Sequence, residues 1–275
     1  MKDKTSDMEN NITVVLIALY RYQNFAIRTM HSLLETIDGV KTYTLFFKNI
    51  DSINQFDIPS DKEYELLINK IIDLNPNIIG ISVLSSFYSI AKRITKLIKY
   101  NTSAMVIWGG IHPTIYPESC IKDADLICLG EGEKALIDLV ISLRDGKDYY
   151  HIDNLWINNG NNIIKNSMRS LIKDLDSLPF PSYGNESFFF IESNKITKKD
   201  ITLLDPNIFY IYIKSSRGCP FACSYCVNSI LKQLFKKLGH YNRRRSVANV
   251  IEEIKEIISL SGNKKNYVFF VDDFF

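Results

Sequence analysis

Long hydrophobic runs, a cysteine framework and one-sided charge are all missing from this sequence, and each absence removes a class of protein. The polar stretch Met1 to Asn11 leads into an apolar run, Ile12 to Leu19, that is only a strand's length, so neither a signal peptide nor a membrane anchor is expected. Five cysteines do not make the disulfide framework of a small secreted domain. A net charge of +2 offers little counterion release on a polyanion, so nucleic acid is not expected as a partner. No internal repeat is long enough to define a solenoid. What remains is a cytoplasmic protein of 275 residues, 46% hydrophobic, able to bury more than one core, with two domains as the natural count.

Short apolar runs and amphipathic stretches alternate from Ile12 onward, the pattern of βαβ units around a parallel sheet. Strands are expected at Thr13–Leu19, Thr42–Phe47, Ile78–Val83, Ala104–Trp108 and Leu126–Leu129, with helices at Phe25–Ile37, Tyr64–Leu74, Ser89–Tyr100 and Glu133–Leu143. Five strands with intervening helices make a doubly wound, flavodoxin-like α/β domain, which binds ligands in the loops at the carboxyl ends of its strands. Two of those loops stand out: Ser82-Val83-Leu84, and Gly109-Gly110-Ile111-His112-Pro113-Thr114. Both are also compatible with tight strand-to-helix turns. Their glycines, lacking Cβ, let a bulky group approach the backbone. Pro113 fixes the chain beside His112, whose imidazole is expected to cap the turn or touch a ligand edge. Glu131 and Glu133 are expected to cap the helix that follows them, and His31 and His151 carry no assigned role.

Between Asp145 and Pro206 the pattern turns irregular. Leu155–Ile157 and Asn162–Lys165 flank Asn158-Asn159-Gly160 as a hairpin, Leu175–Pro181 reads as an extended strap, and Ser193–Asp200 reads as a polar loop. A strand at Ile208–Ile213 then runs into Arg217-Gly218-Cys219-Pro220-Phe221-Ala222-Cys223-Ser224-Tyr225-Cys226. Three thiolates in a C-x3-C-x2-C loop suit one iron–sulfur cubane and leave its fourth iron without a protein ligand. A structural zinc site completed by His240 is the alternative. Cys120 and Cys128 are expected to be buried structural residues. Helical stripes follow at Leu231, Leu234, Phe235 and Leu238 and over Val247–Leu260, and the apolar strand Tyr267–Val271 ends in Asp272-Asp273.

The triplet Cys219, Cys223, Cys226, with Tyr225 before the last cysteine, resembles the C-x3-C-x-aromatic-C signature of the radical S-adenosyl-L-methionine (AdoMet) superfamily. The resemblance implies a 4Fe–4S cluster held by these cysteines, with AdoMet on the open iron cleaved reductively to a 5'-deoxyadenosyl radical. Ser82, Leu84, Gly109 and Gly110 are similar, in order and spacing, to the S-x-L and G-G elements of cobalamin-binding domains. Gly109–Glu118 and Leu129–Glu133 extend that likeness to cobalamin-dependent radical AdoMet enzymes, the group that includes the anaerobic magnesium-protoporphyrin cyclase. Implied are a cobalamin-binding domain over residues 1–145, a hairpin and linker over 146–205, and over 206–275 the first two βα units of a six-unit partial (β/α) barrel, so that a carboxyl-terminally truncated protein is expected. Asp272 or Asp273, at the barrel mouth, is expected to contact AdoMet, and His112 and Tyr225 join the cofactor contacts. No D-x-H-x-x-G loop follows the first strand, so a cobalt-ligating histidine is not implied.

The implied function is methyl transfer, or radical rearrangement or oxidation, on a small-molecule or natural-product substrate, with electrons from a donor such as flavodoxin or ferredoxin. Two other functions fit the residues. One is a catalytically silent corrinoid-binding module; the other is tRNA methylthiolation, suggested by Arg243–Arg245 but short of the further amino-terminal cysteines such enzymes carry.

Overall fold

The structure is a computed structural model that describes residues 11–49, 57–198, 208–261 and 265–274. Its first strand, β1 (Ile12–Leu19), is apolar almost throughout and buried on both faces, which is the signature of a central parallel strand. Each fully buried aliphatic side chain contributes roughly 1.5–3 kcal/mol, so this strand anchors the sheet. The chain continues through α1 (Phe25–Glu35), β2 (Val40–Phe47), α2 (Asp61–Leu74), β3 (Ile78–Ser82), α3 (Tyr88–Asn101) and β4 (Met105–Gly109). The short helices α4 (Ile111–Ile115) and α5 (Pro117–Cys120) lead to β5 (Leu126–Cys128) and α6 (Glu133–Arg144). Local chemistry sets these boundaries. Asn24 Oδ1 accepts from Ile27 N at 3.1 Å to start α1. Ser60 and Glu63 form a capping box on α2, which stops at Asn75 in a left-handed conformation.

After α6 come β6 (Leu155–Asn158), β7 (Ile163–Lys165), β8 (Phe188–Glu192) and β9 (Lys195–Thr197). The sheet has nine strands in the order β7-β6-β5-β4-β3-β1-β2-β8-β9. Strands β5, β4, β3, β1, β2 and β8 run parallel, while β6, β7 and β9 are antiparallel additions. Val15, Ile17 and Leu19 point into the core under α2 and α3, and Val14, Leu16 and Ala18 into the core under α1 and α6. β1 lies between β2 and β3, so the chain reverses its direction of winding there and opens a crevice at the strands' carboxyl ends.

The five expected strands and four expected helices are present within a few residues of their predicted bounds. The segment expected to be a hairpin and linker does more than connect, because it supplies four strands to the same sheet. The hairpin β6–β7 covers the edge of β5. On the far side, Phe188, Phe190 and Ile191 are fully buried where β8 pairs with β2. Ser193 and Asn194, expected in a polar loop, are the positive-φ turn of the β8–β9 hairpin. Lys48, fully buried, ties this edge together with its ammonium 2.8 Å from Asp57, 3.0 Å from Glu63 and 2.6 Å from Glu192. The Leu175–Pro181 strap is held against α1: Ser32 Oγ donates to Phe180 O at 2.8 Å and Arg28 Nη1 to Ser182 O at 2.8 Å.

The rest of the chain forms β10 (Ile208–Ile213), β11 (Ser216–Arg217), α7 (Val227–Leu234), β12 (Arg243–Arg244), α8 (Val247–Ser261) and β13 (Lys265–Phe270). β10 and β13 pair in parallel, and Ile211 and Ile213 pack beneath Val250 and Ile257 of α8. The expected junction at residues 205 and 206 lies outside the described residues. Of the expected stripe after the cysteines, Phe235 alone is buried, and Leu234 is 41% exposed. Cys120 and Cys128 are buried as expected, and burial pushes their thiols up to about 11 and about 12. Among the described residues no helix is long and apolar enough to cross a membrane.

The edge strands generate a prediction. A chain ending at Lys198 is expected to unfold cooperatively and stay monodisperse, whereas one ending at Arg144 bares the edges of β2 and β5 and aggregates. Size-exclusion chromatography and thermal circular dichroism decide it; equal behaviour of the two chains would show that β6–β9 are dispensable.

Candidate functional site

A cavity of about 860 Å³ opens at the carboxyl ends of β1, β3, β4 and β5. Ser82, Leu84, Gly109 and Gly110, all expected from the sequence, line it, together with Asn24 and Gln23 from the loop after β1. The strap forms one wall through Leu178, Pro179 and Pro181, and the β10–β13 unit closes another with Tyr212, Lys214, Arg217 and Asp273.

The two glycines of the G-G pair have different jobs. At Gly109 the nearest atom to an added Cβ is Cys128 Cβ at 4.0 Å, so a larger side chain there would grow into the cavity. Gly110 sits at φ +101°, and a Cβ would press on the Val83 backbone, with the carbonyl oxygen at 3.0 Å. That closeness follows from the turn, in which Val83 N donates to Gly109 O at 2.8 Å and His112 N donates to Val83 O at 3.1 Å. Gly110 therefore shapes the loop, and Gly109 leaves the space.

His112 is packed behind this loop and is not among the residues lining the cavity. Its Nδ1 lies 2.9 Å from Ser85 Oγ, its ring sits between Tyr88 and Tyr116, and Nε2 is buried with no hydrogen-bond partner. Burial lowers its pKa, which keeps the imidazole neutral. The two aspartates also separate. Asp272 is spent on structure, accepting from Ser215 Oγ at 2.9 Å and from Ser216 N and Oγ at 2.6 Å. Asp273 lines the cavity, 3.5 Å from Lys214 Nζ.

Cys219, Cys223 and Cys226 lie on one loop after β11, Cys223 exposed and the other two half-buried. Tyr225 is 91% exposed and does not line the cavity. Gly218, at φ +86°, brings the loop so close to the Tyr241 carbonyl that a Cβ would collide with it. Among the described residues no group of three or more His, Cys, Asp or Glu side chains converges as the ligands of one metal ion would. A zinc ion needs four donors within about 2.0–2.3 Å of one point. A cubane makes no such demand, because each of three cysteines takes a different iron, and an all-thiol donor set on an accessible loop fits it.

The loop hangs from a neck. β11 and β12 pair antiparallel, setting Arg217 opposite Arg243, and both guanidiniums grip the turn between β5 and α6. Arg243 reaches Glu131 with Nη1 to Oε2 at 3.0 Å and Nη2 to Oε1 at 2.9 Å. Arg217 reaches Glu131 Oε1 at 2.9 Å and Glu133 Oε1 at 2.6 Å. Glu131 Oε2 also accepts from Ile172 N at 2.7 Å. The sequence-based expectation that both glutamates cap α6 is therefore corrected in part: Glu133 stands in the first turn, where a carboxylate complements the helix dipole, but neither side chain makes a cap hydrogen bond. Gly132 is the residue at the cap, with no side-chain cap bond, while the two carboxylates face the arginines. Of the arginine run that suggested a nucleic-acid substrate, Arg243 is 8% exposed, Arg245 pairs with Glu253 and Arg244 stands in solvent. Arg217 beside the first cysteine and the acidic pair after β5 were visible in the sequence; their meeting was not.

Comparison with known proteins now places the chain. Residues 14–140 match the family model described as the B12 binding domain. It is 30% identical to an uncharacterized methyltransferase of Pyrococcus horikoshii over 213 residues, 76% of this chain and 42% of that protein. It is 26% identical to the anaerobic magnesium-protoporphyrin IX monomethyl ester cyclase of Rubrivivax gelatinosus over 212 residues, 72% of this chain and 34% of that one. In fold it is similar to the cobalamin-dependent AdoMet radical enzyme OxsB, with TM-score 0.67 and 19% identity over 96% of this chain and 34% of that one. It is also similar to the radical AdoMet methyltransferase TsrM of Kitasatospora setae, with TM-score 0.63 and 17% identity over 94% of this chain and 47% of that one. The expected resemblance to cobalamin-binding radical AdoMet enzymes holds, and so does the α/β fold. The chain spans less than half the length of these relatives.

Two predictions follow from the geometry. Gly109→Phe is expected to weaken cobalamin retention by at least about tenfold, ~1.4 kcal/mol, with thermal stability unchanged. Gly110→Ala, strained at positive φ, is expected to cost about 1–3 kcal/mol of stability. Spectroscopic titration with hydroxocobalamin and thermal melts separate the two effects, and equal losses of binding and stability in both variants would refute the division. Burial pushes the Glu131 carboxyl up, but the Arg243 hydrogen bond and the Arg217 charge outweigh it and the pKa is lowered. Its contribution to stability is therefore fully present above the ordinary carboxyl value of 4.5 and is lost as pH falls through the lowered folded-state value. Urea unfolding across this acid range should show that limb in the wild type and a flatter one in Glu131→Gln.

Proposed function

We propose that this chain is the corrinoid- and cluster-bearing part of a cobalamin-dependent radical AdoMet enzyme. The observation that carries the reading is the neck: a C-x3-C-x2-C loop is clamped to the β5–α6 turn of a B12-binding domain, and both units line one cavity. In this reading Ser82, Leu84 and Gly109 receive the corrinoid, and Gly110 shapes the turn that presents them. Cys219, Cys223 and Cys226 hold the 4Fe–4S cluster. Asp273 and Lys214 stand where the polar groups of AdoMet or substrate enter. When bound, the corrinoid supplies a methyl carrier and the cluster an electron for AdoMet cleavage. The protein's part is to hold the cysteine loop, whose three cysteines are not among the cavity's lining residues, beside the corrinoid space and to wall that space off from water with the Pro179–Pro181 strap.

The reaction class is methyl transfer or radical rearrangement or oxidation of a small-molecule or natural-product substrate, in the cytoplasm, fed by a low-potential donor such as flavodoxin or ferredoxin. The similarity to methyltransferases and to a cyclase supports this class. Nucleic acid is not assigned, because Arg243 and Arg245 are committed to internal ion pairs.

Anaerobic reconstitution with iron and sulfide is expected to give a 4Fe–4S cluster that Cys219→Ala, Cys223→Ala and Cys226→Ala each abolish and Cys120→Ala does not. A loss with Cys120→Ala as complete as with Cys223→Ala would sink the assignment. The cob(II)alamin-loaded protein should give the same electron paramagnetic resonance spectrum in wild type and His112→Ala, since the buried ring is outside the cavity. Formation of 5'-deoxyadenosine from AdoMet and dithionite then tests the chemistry. Protein that holds both cofactors yet forms none is a corrinoid-binding module instead.

A further inference from the structure

A continuous set of polar contacts runs from the cavity loop to the cysteines. Thr114 Oγ1 donates to Gly110 O at 2.8 Å and accepts from Gly130 N at 3.0 Å. Gly130 adjoins Glu131, which holds Arg217 and Arg243, and Arg217 is separated from Cys219 only by Gly218. The same turn meets the far side of the cysteine loop, because a Cβ on Gly130 would lie 3.2 Å from the Phe235 ring. All three cysteines lie between Arg217 and Arg243, so whatever moves the neck moves the loop as a unit. Glu133, 4% exposed, has one oxygen on Arg217 and the other buried without a partner. It holds its place only while Arg217 neutralises it.

We propose that Arg217 is a positioning residue through which filling of the corrinoid cavity and assembly of the cluster on the cysteine loop favour one another. The inference rests on the corrinoid and cluster reading above and adds to it a coupling carried by Thr114, Gly130, Glu131 and Arg217. The Gly109–Gly110 turn is part of the cavity, so an occupant that fixes it also fixes Thr114 and the turn that receives the arginines. The effect is reciprocal by necessity: if cluster assembly tightens cobalamin binding, cobalamin tightens the cluster loop by the same factor.

The test is hydroxocobalamin affinity of the full chain, measured by absorbance titration with and without prior reconstitution by iron and sulfide. Wild type is expected to bind several-fold tighter once reconstituted, within the roughly 5–150-fold range of such couplings. In Arg217→Gln both groups should still bind, with the ratio of affinities reduced to one, while Arg244→Gln, altering an exposed neighbour, should keep the wild-type ratio. Thr114→Val interrupts the same contacts at the other end and gives the same readout if Arg217→Gln does not fold. A ratio of one in wild type, or an unchanged ratio in both Arg217→Gln and Thr114→Val, overturns the coupling. Failure of wild type to retain cobalamin or iron at all would instead overturn the functional reading beneath it.

Discussion

Two arginines and two glutamates at the end of β5, with Arg243 and Glu133 buried and Arg217 and Glu131 partly so, hold the cysteine loop to the amino-terminal α/β domain. Their charges sum to zero, which is the condition under which such a group can leave water. Each carboxylate oxygen that takes an arginine does so at hydrogen-bond distance, so the desolvation cost is offset within the network. Removing one arginine does not simply subtract a contact. It strands a carboxylate in a low-dielectric site at a cost on the order of 3–5 kcal/mol. The network therefore acts as a register mark more than as glue, because one placement of the neck gives Glu131 both arginines and Ile172 N while giving Glu133 its one partner, Arg217.

The sheet makes that register meaningful. β1 is buried on both faces and paired along its whole length with β2, so the strand ends that frame the cavity sit on a rigid platform. Freedom is confined to the loops, and the structure removes much of it. Asn24 caps α1, Gly110 forces the turn after β4, and Lys48 with its three carboxylates fixes the opposite edge. Arg28 is fully buried, with its guanidinium 4.7 Å from the Phe46 ring and 4.5 Å from the Tyr183 ring, and it fixes the strap as the remaining wall. The sheet platform and the strap are thus set by packing before any ligand arrives, and what freedom remains to the cavity lies in the strand-end turns.

The sequence revealed the elements whose cause is local. Hydrophobic periodicity located β1 to β5 and the helices between them, because each buries a face whose spacing is written in consecutive residues. The cysteine triplet and the G-G pair were legible for the same reason. Pairings that depend on distant chain were not. Phe188–Ile191 is a short apolar run bounded by Gly184-Asn185 and Ser193-Asn194, which mark a strand locally, but its place beside β2 is decided by an edge that needs covering. Glu131 and Arg243 are 112 residues apart, and nothing local distinguishes a glutamate at a helix start that caps from one that pairs. His112 and Asp272 show the same limit: the sequence left turn or ligand edge open for the first and either aspartate open for the AdoMet contact. It took the fold to bond His112 to Ser85, to bond Asp272 to Ser215 and Ser216, and to put Asp273 on the cavity.

The charge pattern of the cavity bears on what it can hold. The acids and bases that the β10–β13 unit brings to it come in pairs, Lys214 with Asp273 and Arg245 with Glu253, and Arg217 is matched by Glu131 and Glu133. Paired charges cancel at a distance and present short-range donors and acceptors in place of a net field. Arg21, which also lines the cavity, has no ion pair among the described residues, so a strongly anionic ligand such as a nucleotide triphosphate would find a single unbalanced cation here. A large group rimmed with neutral amides finds glycine-lined space, a hydroxyl at Ser82 and hydrogen-bonding partners at fixed positions. Cobalamin has that chemistry. The fit of the cavity to the corrinoid thus rests on shape and neutral donors and acceptors, while the ion pairs of Arg217 and Arg243 hold the cysteine loop in place beside it.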